Sequence, residues 1–318
     1  VEPSTQPASS TPQHVAKRLR DAVTTAVRGK PAAVDQAIAT LLGGGHLLVE
    51  DLPGTGKTLL AKSIAAAIGG RFGRVQCTPD LLPTDITGTS VFRQGTGEWE
   101  FRPGPLFANI VLVDEVNRAS PRTQAALLEP MEERQVSVDG STWALPAPFF
   151  CVATQNPFGQ IGTFPLPESQ LDRFALALSL GLPDRDAERE IVTGAGGVEV
   201  LGALRPVTTP DEVVAAIAAT ADLHCDPKVV DYVLDLTAAT RADARLSQGA
   251  SPRASVSLVH LAKGHAVVAG REYVTPDDVQ AVFVGAYAHR VMVAGRVDTP
   301  AARDLLGWLL AQVPVPRP

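Results

Sequence analysis

Asp51-Leu52-Pro53-Gly54-Thr55-Gly56-Lys57-Thr58 ends in the Gly-Lys-Thr of a phosphate-binding loop. In such a loop successive backbone N–H groups cradle phosphate oxygens, the lysine supplies a point charge and the next hydroxyl reaches Mg2+. Lys57 and Thr58 fill those two roles, and Pro53, Gly54, Thr55, Gly56, Lys57, Thr58 and Leu59 form the stretch expected to wrap the nucleotide. A second stretch, Ile110-Val111-Leu112-Val113-Asp114-Glu115, is the apolar run of a buried strand that ends in two acids. Asp114 is placed to hold the metal with Thr58, and Glu115 to align a water for attack on a γ-phosphate. The two motifs in this order point to a nucleoside triphosphate site.

The loop departs from its pattern once: Asp51 stands where a glycine is usual. Glycine serves there for backbone freedom, and Asp tolerates unusual dihedrals better than most residues. Asp51 is therefore expected to be a neutral variant, with Asp51→Gly leaving nucleotide affinity unchanged or improved. The surroundings suit the motif. His46 to Val49 reads as a short buried strand, and Leu59, Leu60, Ile64 and Ile68 recur at helical spacing before Gly69-Gly70 ends the helix. A helix N-terminus then adds its positive dipole end to the phosphate site.

Three further positions carry candidate chemistry. Asn156 follows the apolar run from Phe149 to Ala153, at the edge where parallel sheets bind ligands, and is read as a residue holding the attacking water or the γ-phosphate; by itself it could equally start a turn before Pro157. Arg173, next to Asp172, is either an ion-pair partner or an arginine finger delivered to a neighbouring subunit, and the finger is the sharper reading. Ser251-Pro252-Arg253 reads as a helix start in which Arg253 stands against the dipole, which invites a role reaching toward phosphates. Ser120-Pro121-Arg122 repeats that pattern, so the motif is weak alone. Pro130 should kink or end the helix that Ser120 starts.

These residues need a frame. The 318 residues suggest two domains, and 45% hydrophobic with 19% charged residues makes a globular chain. A net charge of -6 offers no global field for nucleic acid. Cys77, Cys151 and Cys225 lack metal spacing and read as small buried apolar residues. No apolar run reaches a transmembrane length and the N-terminal stretch has no signal-peptide core, so a cytoplasmic location is expected.

Along the chain, residues 1–13 are rich in Pro, Ser, Thr and Gln and read as disordered; 14–182 read as an α/β nucleotide-binding core; and 183–318 read as a helical domain. Strands are expected at 46–49, 74–77, 110–113, 149–154 and 175–180, in a parallel five-stranded sheet preceded by helices at 14–28 and 30–42. After a linker at 181–183 helices are expected at 210–223, 227–240, 251–269, 276–294 and 300–312. Two β-hairpins decorate the core, 87–105 with its turn at Gln94-Gly95-Thr96-Gly97, and 135–145 with its turn at Asp139-Gly140. Trp99, Phe101 and Trp143 on these hairpins either pack on the sheet face or offer contacts in a pore.

With these residues in view the chain resembles the MoxR family of AAA+ ATPases. The resemblance rests on Glu50 to Thr58, Val113 to Ala119, Gln124 to Glu133 with Gln135-Val136, Ala153 to Pro157, Gly162 to Phe174 and Ser251 to Ala254, and spans roughly 14–312. Gly162 to Phe174 is its most specific part. It implies a P-loop AAA+ core followed by a small all-α lid, with ATP and Mg2+ as cofactors. Asp114 and Glu115 become the Walker B pair, Asn156 sensor 1, Arg173 the arginine finger and Arg253 sensor 2. It also implies a homo-oligomeric ring, often a hexamer, with ATP between subunits, and chaperone-like remodelling or maturation of client proteins, frequently with a separate partner carrying a von Willebrand factor A domain. A nucleic-acid motor, a subunit of a magnesium-chelatase-like metal-insertion complex and a nucleotide-gated binding module are the competing readings.

Overall fold

The structure is a computed structural model that describes residues 11–156, 162–294 and 299–317. The first ten residues of the stretch read as disordered lie outside the described residues. Thr11 to Gln13 instead open a helix: Thr11 caps α1 (Pro12–Ala26), accepting from the His14 backbone N–H, with Pro12 in the first turn. α2 (Pro31–Leu42) follows, then β1 (Leu47–Glu50), the phosphate loop, α3 (Lys57–Ile68) and β2 (Phe72–Gln76). A short α4 (Pro83–Thr87) leads into the hairpin β3 (Gly88–Arg93) and β4 (Glu98–Pro103). β5 (Ile110–Asp114) carries the acids, and α5 (Pro121–Ala125) and α6 (Leu128–Glu133) precede the second hairpin, β6 (Gln135–Val138) and β7 (Ser141–Ala144). β8 (Phe150–Gln155), α7 (Glu168–Leu171) and β9 (Leu176–Leu178) complete the sheet.

Among the described residues the main sheet runs β2-β5-β8-β1-β9, and every pairing in it is parallel. Its period-2 alternation feeds two cores. Leu47, Val49, Ile110, Leu112, Phe150 and Val152 face one side; Leu48, Val111, Val113, Cys151 and Ala153 face the other. Cys77 shares the second core, and burial pushes both its thiol and that of Cys151 up to about 12. Both are inert packing residues at neutral pH.

The C-terminal part holds α8 (Arg185–Val192), α9 (Val198–Ala203), α10 (Pro210–Ala221), α11 (Pro227–Ala242), α12 (Pro252–Val268), α13 (Pro276–Tyr287) and α14 (Thr299–Gln312). The sequence reading missed α8 and α9, which are short and separated by Gly194, Gly196 and Gly197. It also extended α13 to residue 294. The chain instead leaves the helix after Tyr287, and β11 (Met292–Val293) pairs antiparallel with β10 (Leu246–Gln248). The helical part does not stand apart. α12 lies on α2 so closely that a Cβ at Gly264 would sit 2.1 Å from the Ala39 carbonyl oxygen, and one continuous core joins α1, α2, α3 and the helices α10 to α14.

The helix that Ser120 starts breaks at Ala126, the position four residues before Pro130 whose carbonyl the proline ring would strike. Pro130 itself sits in the first turn of α6, where its missing N–H has no helical partner to lose. The hairpin aromatics do not pack on the main sheet. Phe101 stacks on Trp143 at 4.5 Å and 16°, tying one hairpin to the other, and Trp99 is 71% exposed beside Phe92.

Candidate functional site

The phosphate loop bridges the end of β1 and the start of α3. Gly54 and Gly56 take φ of 82° and 98°, a region closed to most side chains, and a Cβ at either would meet nothing within 4 Å. The loop therefore presents bare backbone to open space, with Gly56 as N-cap of α3. Lys57 folds back here, its ammonium donating to the carbonyls of Asp51 at 2.9 Å and Leu52 at 2.7 Å.

Asp51 is buried and fully engaged in hydrogen bonds. It is 7% exposed, and its carboxylate accepts the N–H groups of Leu180 at 2.7 Å, Gly181 at 2.8 Å and Leu52 at 3.1 Å. It ties the phosphate loop to the end of β9 and the linker beyond it. Glycine could not make these bonds, and they argue against the expectation that Asp51→Gly is harmless. Glu50, also buried, turns the other way and accepts from Gln155 Nε2 at 2.6 Å and from Thr299 Oγ1 of α14 at 3.0 Å.

The parallel register brings the acids level with β8. Thr154 Oγ1 donates to Asp114 Oδ1 at 2.7 Å and accepts the Glu115 N–H at 2.9 Å. Glu115 adopts φ 55°, an uncommon left-handed conformation for such a residue and of the kind found at functional sites. Arg118 Nη1 donates to Glu115 Oε2 at 2.8 Å, and Arg74 Nη2 to Asp114 Oδ2 at 2.8 Å. Thr154, Arg118 and Arg74 were not singled out from the sequence. The signal available for Arg74 was a charged residue two places before the end of an otherwise half-buried strand, on the same face as Gln76, which pairs with Asp114.

Residues 53–59, Asp114, Glu115 and Asn156 line a single cleft of about 630 Å³. The same cleft is lined by Val27 after α1, Ile191 of α8 and Val198 and Leu201 of α9, with the charged Arg28, Lys30 and Glu199 among them. The loop and acids suit a triphosphate, and the apolar side chains offer contacts for a flat base. The oxygen donors on offer, a hydroxyl at Thr58 and a carboxylate at Asp114, fit a small hard cation that keeps phosphate and water as its other partners.

Arg173 and Arg253 do not line the cleft. Arg253, read from the sequence as reaching the phosphates, and Arg173 instead meet on one carboxylate, that of Glu132. Burial first, and then the like charge of Arg253, draw the Arg173 guanidinium below its usual range. Asp172 is held separately. Arg290 places Nε 3.1 Å from its carboxylate and donates Nη2 to its backbone carbonyl at 2.9 Å, while Ser251 Oγ lies 3.3 Å from Oδ2. Arg290 is 3% exposed in its side chain, and burial lowers it to about 10 against the opposing pull of Asp172. Neither Glu132 nor Arg290 was marked by spacing in the sequence.

A parallel sheet of this order, a phosphate loop facing two acids at the strand ends and a helical lid define an AAA+ ATPase. Residues 46–176 match the profile of the ATPase family associated with various cellular activities (AAA), and 238–305 match that of the AAA lid domain. The chain is 41% identical to Chaperone MoxR1 of Mycobacterium tuberculosis over 88% of its own length and 76% of that protein. It is 32% identical to Protein MoxR of Paracoccus denitrificans over 94% and 96% of the two chains. The crystal structure of a presumed ATPase from Cytophaga hutchinsonii superposes with a TM-score of 0.86 at 32% identity, covering 96% of each chain. The chain belongs to the MoxR family of AAA+ ATPases. Among the described residues no helix is long and apolar enough to cross a membrane.

Proposed function

We propose that this chain hydrolyses ATP with Mg2+ as a subunit of a cytoplasmic homo-oligomeric ring, hexameric by family resemblance, and uses the cycle to remodel or mature client proteins. A separate protein with a von Willebrand factor A domain is the proposed partner. The net charge of -6 favours protein clients over nucleic acid. In this reading the loop N–H groups bind the phosphates, and Lys57 exchanges the Asp51 and Leu52 carbonyls for phosphate oxygens. Thr58 and Asp114 hold Mg2+, which when bound neutralises phosphate charge. Thr154 and Arg74 fix the Asp114 carboxylate from both oxygens. Glu115, aimed by its own left-handed backbone and by Arg118, orients the attacking water, and Asn156 in the same cleft steadies water or γ-phosphate.

The observation that carries the oligomer is the separation of Arg173 and Arg253 from the cleft that holds every other proposed group. A site lacking its arginines becomes complete when a second copy supplies them. The test mixes Arg173→Ala with Glu115→Gln. Each alone should bind ATP and hydrolyse it slowly; together they should regain activity, since some interfaces pair an intact Glu115 with an intact Arg173. Co-assembly without recovery at any ratio would count against delivery between subunits.

A further inference from the structure

Glu132 lies in the last turn of α6, Arg173 in the turn after α7, and Arg253 in the first turn of α12. Glu132 Oε2 takes Arg173 Nη1 and Oε1 takes Arg253 Nη2, so one carboxylate carries an arginine from the sheet-bearing part and one from the helical part. Two guanidinium groups this close repel unless an anion sits between them. One carboxylate between two arginines leaves the group net positive, and Arg253 keeps 46% of its side chain exposed. The Arg173 side has a second anchor, because Arg290 and Ser251 hold the neighbouring Asp172. The start of α12 thus supplies its N-cap Ser251 to Asp172 and, two residues on, Arg253 to Glu132.

We propose that Glu132 is a positioning residue that sets Arg173 and Arg253 side by side as a two-arginine unit for the nucleotide of a neighbouring subunit. This rests on the reading of Arg173 as acting between subunits. Glu132 touches no nucleotide; it cancels the repulsion that would drive the two arginines apart and locks the helical part to the finger turn. Arginines already held in place lose less freedom when a phosphate arrives.

The test is Glu132→Gln in the full chain. Glu132 is 38% exposed in its side chain, and a glutamine there keeps an acceptor oxygen for the more buried Arg173, so the variant should fold and assemble. Its kcat should fall by about one to two powers of ten, with KM and the binding of a fluorescent ATP analogue almost unchanged. Mixing with Glu115→Gln should rescue it, as for Arg173→Ala, placing Glu132 on the arginine side of the interface. In an Arg173→Ala, Arg253→Ala background, with slow rates read by single-turnover assay, Glu132→Gln should cost nothing more. Wild-type kcat in Glu132→Gln beside an impaired Arg173→Ala would overturn the proposal, and so would an equal further loss in the double-arginine background. If Arg173→Ala itself is not rescued by mixing, the inter-subunit reading falls, while the loss in the two backgrounds still decides whether Glu132 acts through the arginines.

Discussion

The carboxylate of Asp51 accepts the backbone N–H of Gly181 at 2.8 Å, fastening the first residue of the phosphate loop to the first residue of the segment that leaves the sheet for the helical part. Leu180 donates to the same oxygen at 2.7 Å. The strand that precedes the nucleotide and the strand that hands over to the lid are thereby held at one point.

Asp51→Gly should therefore destabilise the fold by about 3 kcal/mol, since it strands the N–H groups of Leu180 and Gly181 and loses hydrogen bonds to a charged acceptor. Asp51→Asn, which keeps one acceptor oxygen, should cost clearly less. Urea denaturation of the two variants checks the order. Equal stability of Asp51→Gly and the parent would show that water replaces the carboxylate at no cost.

Glu115→Gln should retain ATP and lose hydrolysis by about 10²-fold or more, because the loop and Asp114 are untouched while the water-orienting carboxylate is gone. Lys57→Ala should weaken binding instead, as seen by titration with a fluorescent ATP analogue. Near-normal turnover by Glu115→Gln would remove that residue from its role.

If the arginines serve a neighbour, specific activity should rise with protein concentration as subunits assemble. Sedimentation at the assay concentrations shows whether the rise tracks assembly. Constant specific activity from a demonstrated monomer would sink the ring.

Two histidines should make the fold acid-sensitive. Burial, then the charge of Arg134, pushes His46 down to about 3, and burial, then Arg290, pushes His289 down to about 3. Both are neutral in the fold and take up a proton only on unfolding below about pH 6.5. Their contribution is whole above that pH and is lost as pH falls toward 3, at up to about 1.4 kcal/mol per pH unit for each histidine. His289→Gln keeps a donor for the Phe174 carbonyl, which His289 Nε2 reaches at 2.7 Å. Its stability should decline less steeply than the parent's between pH 6 and pH 5, by the share of one histidine. Parallel declines would mean that His289 is protonated alike in folded and unfolded chains.

What the sequence determined by itself was local or periodic. The Gly-Lys-Thr loop needs positive φ at Gly54 and Gly56, and the short apolar runs of β1, β5 and β8, set between turn signals and helical stretches, read as strands buried on both faces, so core, sheet and helical lid were legible in the order of residues. So was the company of Lys57, Asp114 and Glu115, because strand ends and loops gather at one edge of a parallel sheet. Tertiary structure alone decided which charges meet. Asp51 finds Gly181 across 130 residues, Arg253 finds Glu132 across 121, and Arg290 finds Asp172 across 118. No periodicity links such partners, and a carboxylate spends its charge on whichever donor the packing of distant elements brings within about 3 Å. For the same reason the position that looked like a tolerated departure became a clamp, and the arginine expected at its own phosphates came to rest on a glutamate.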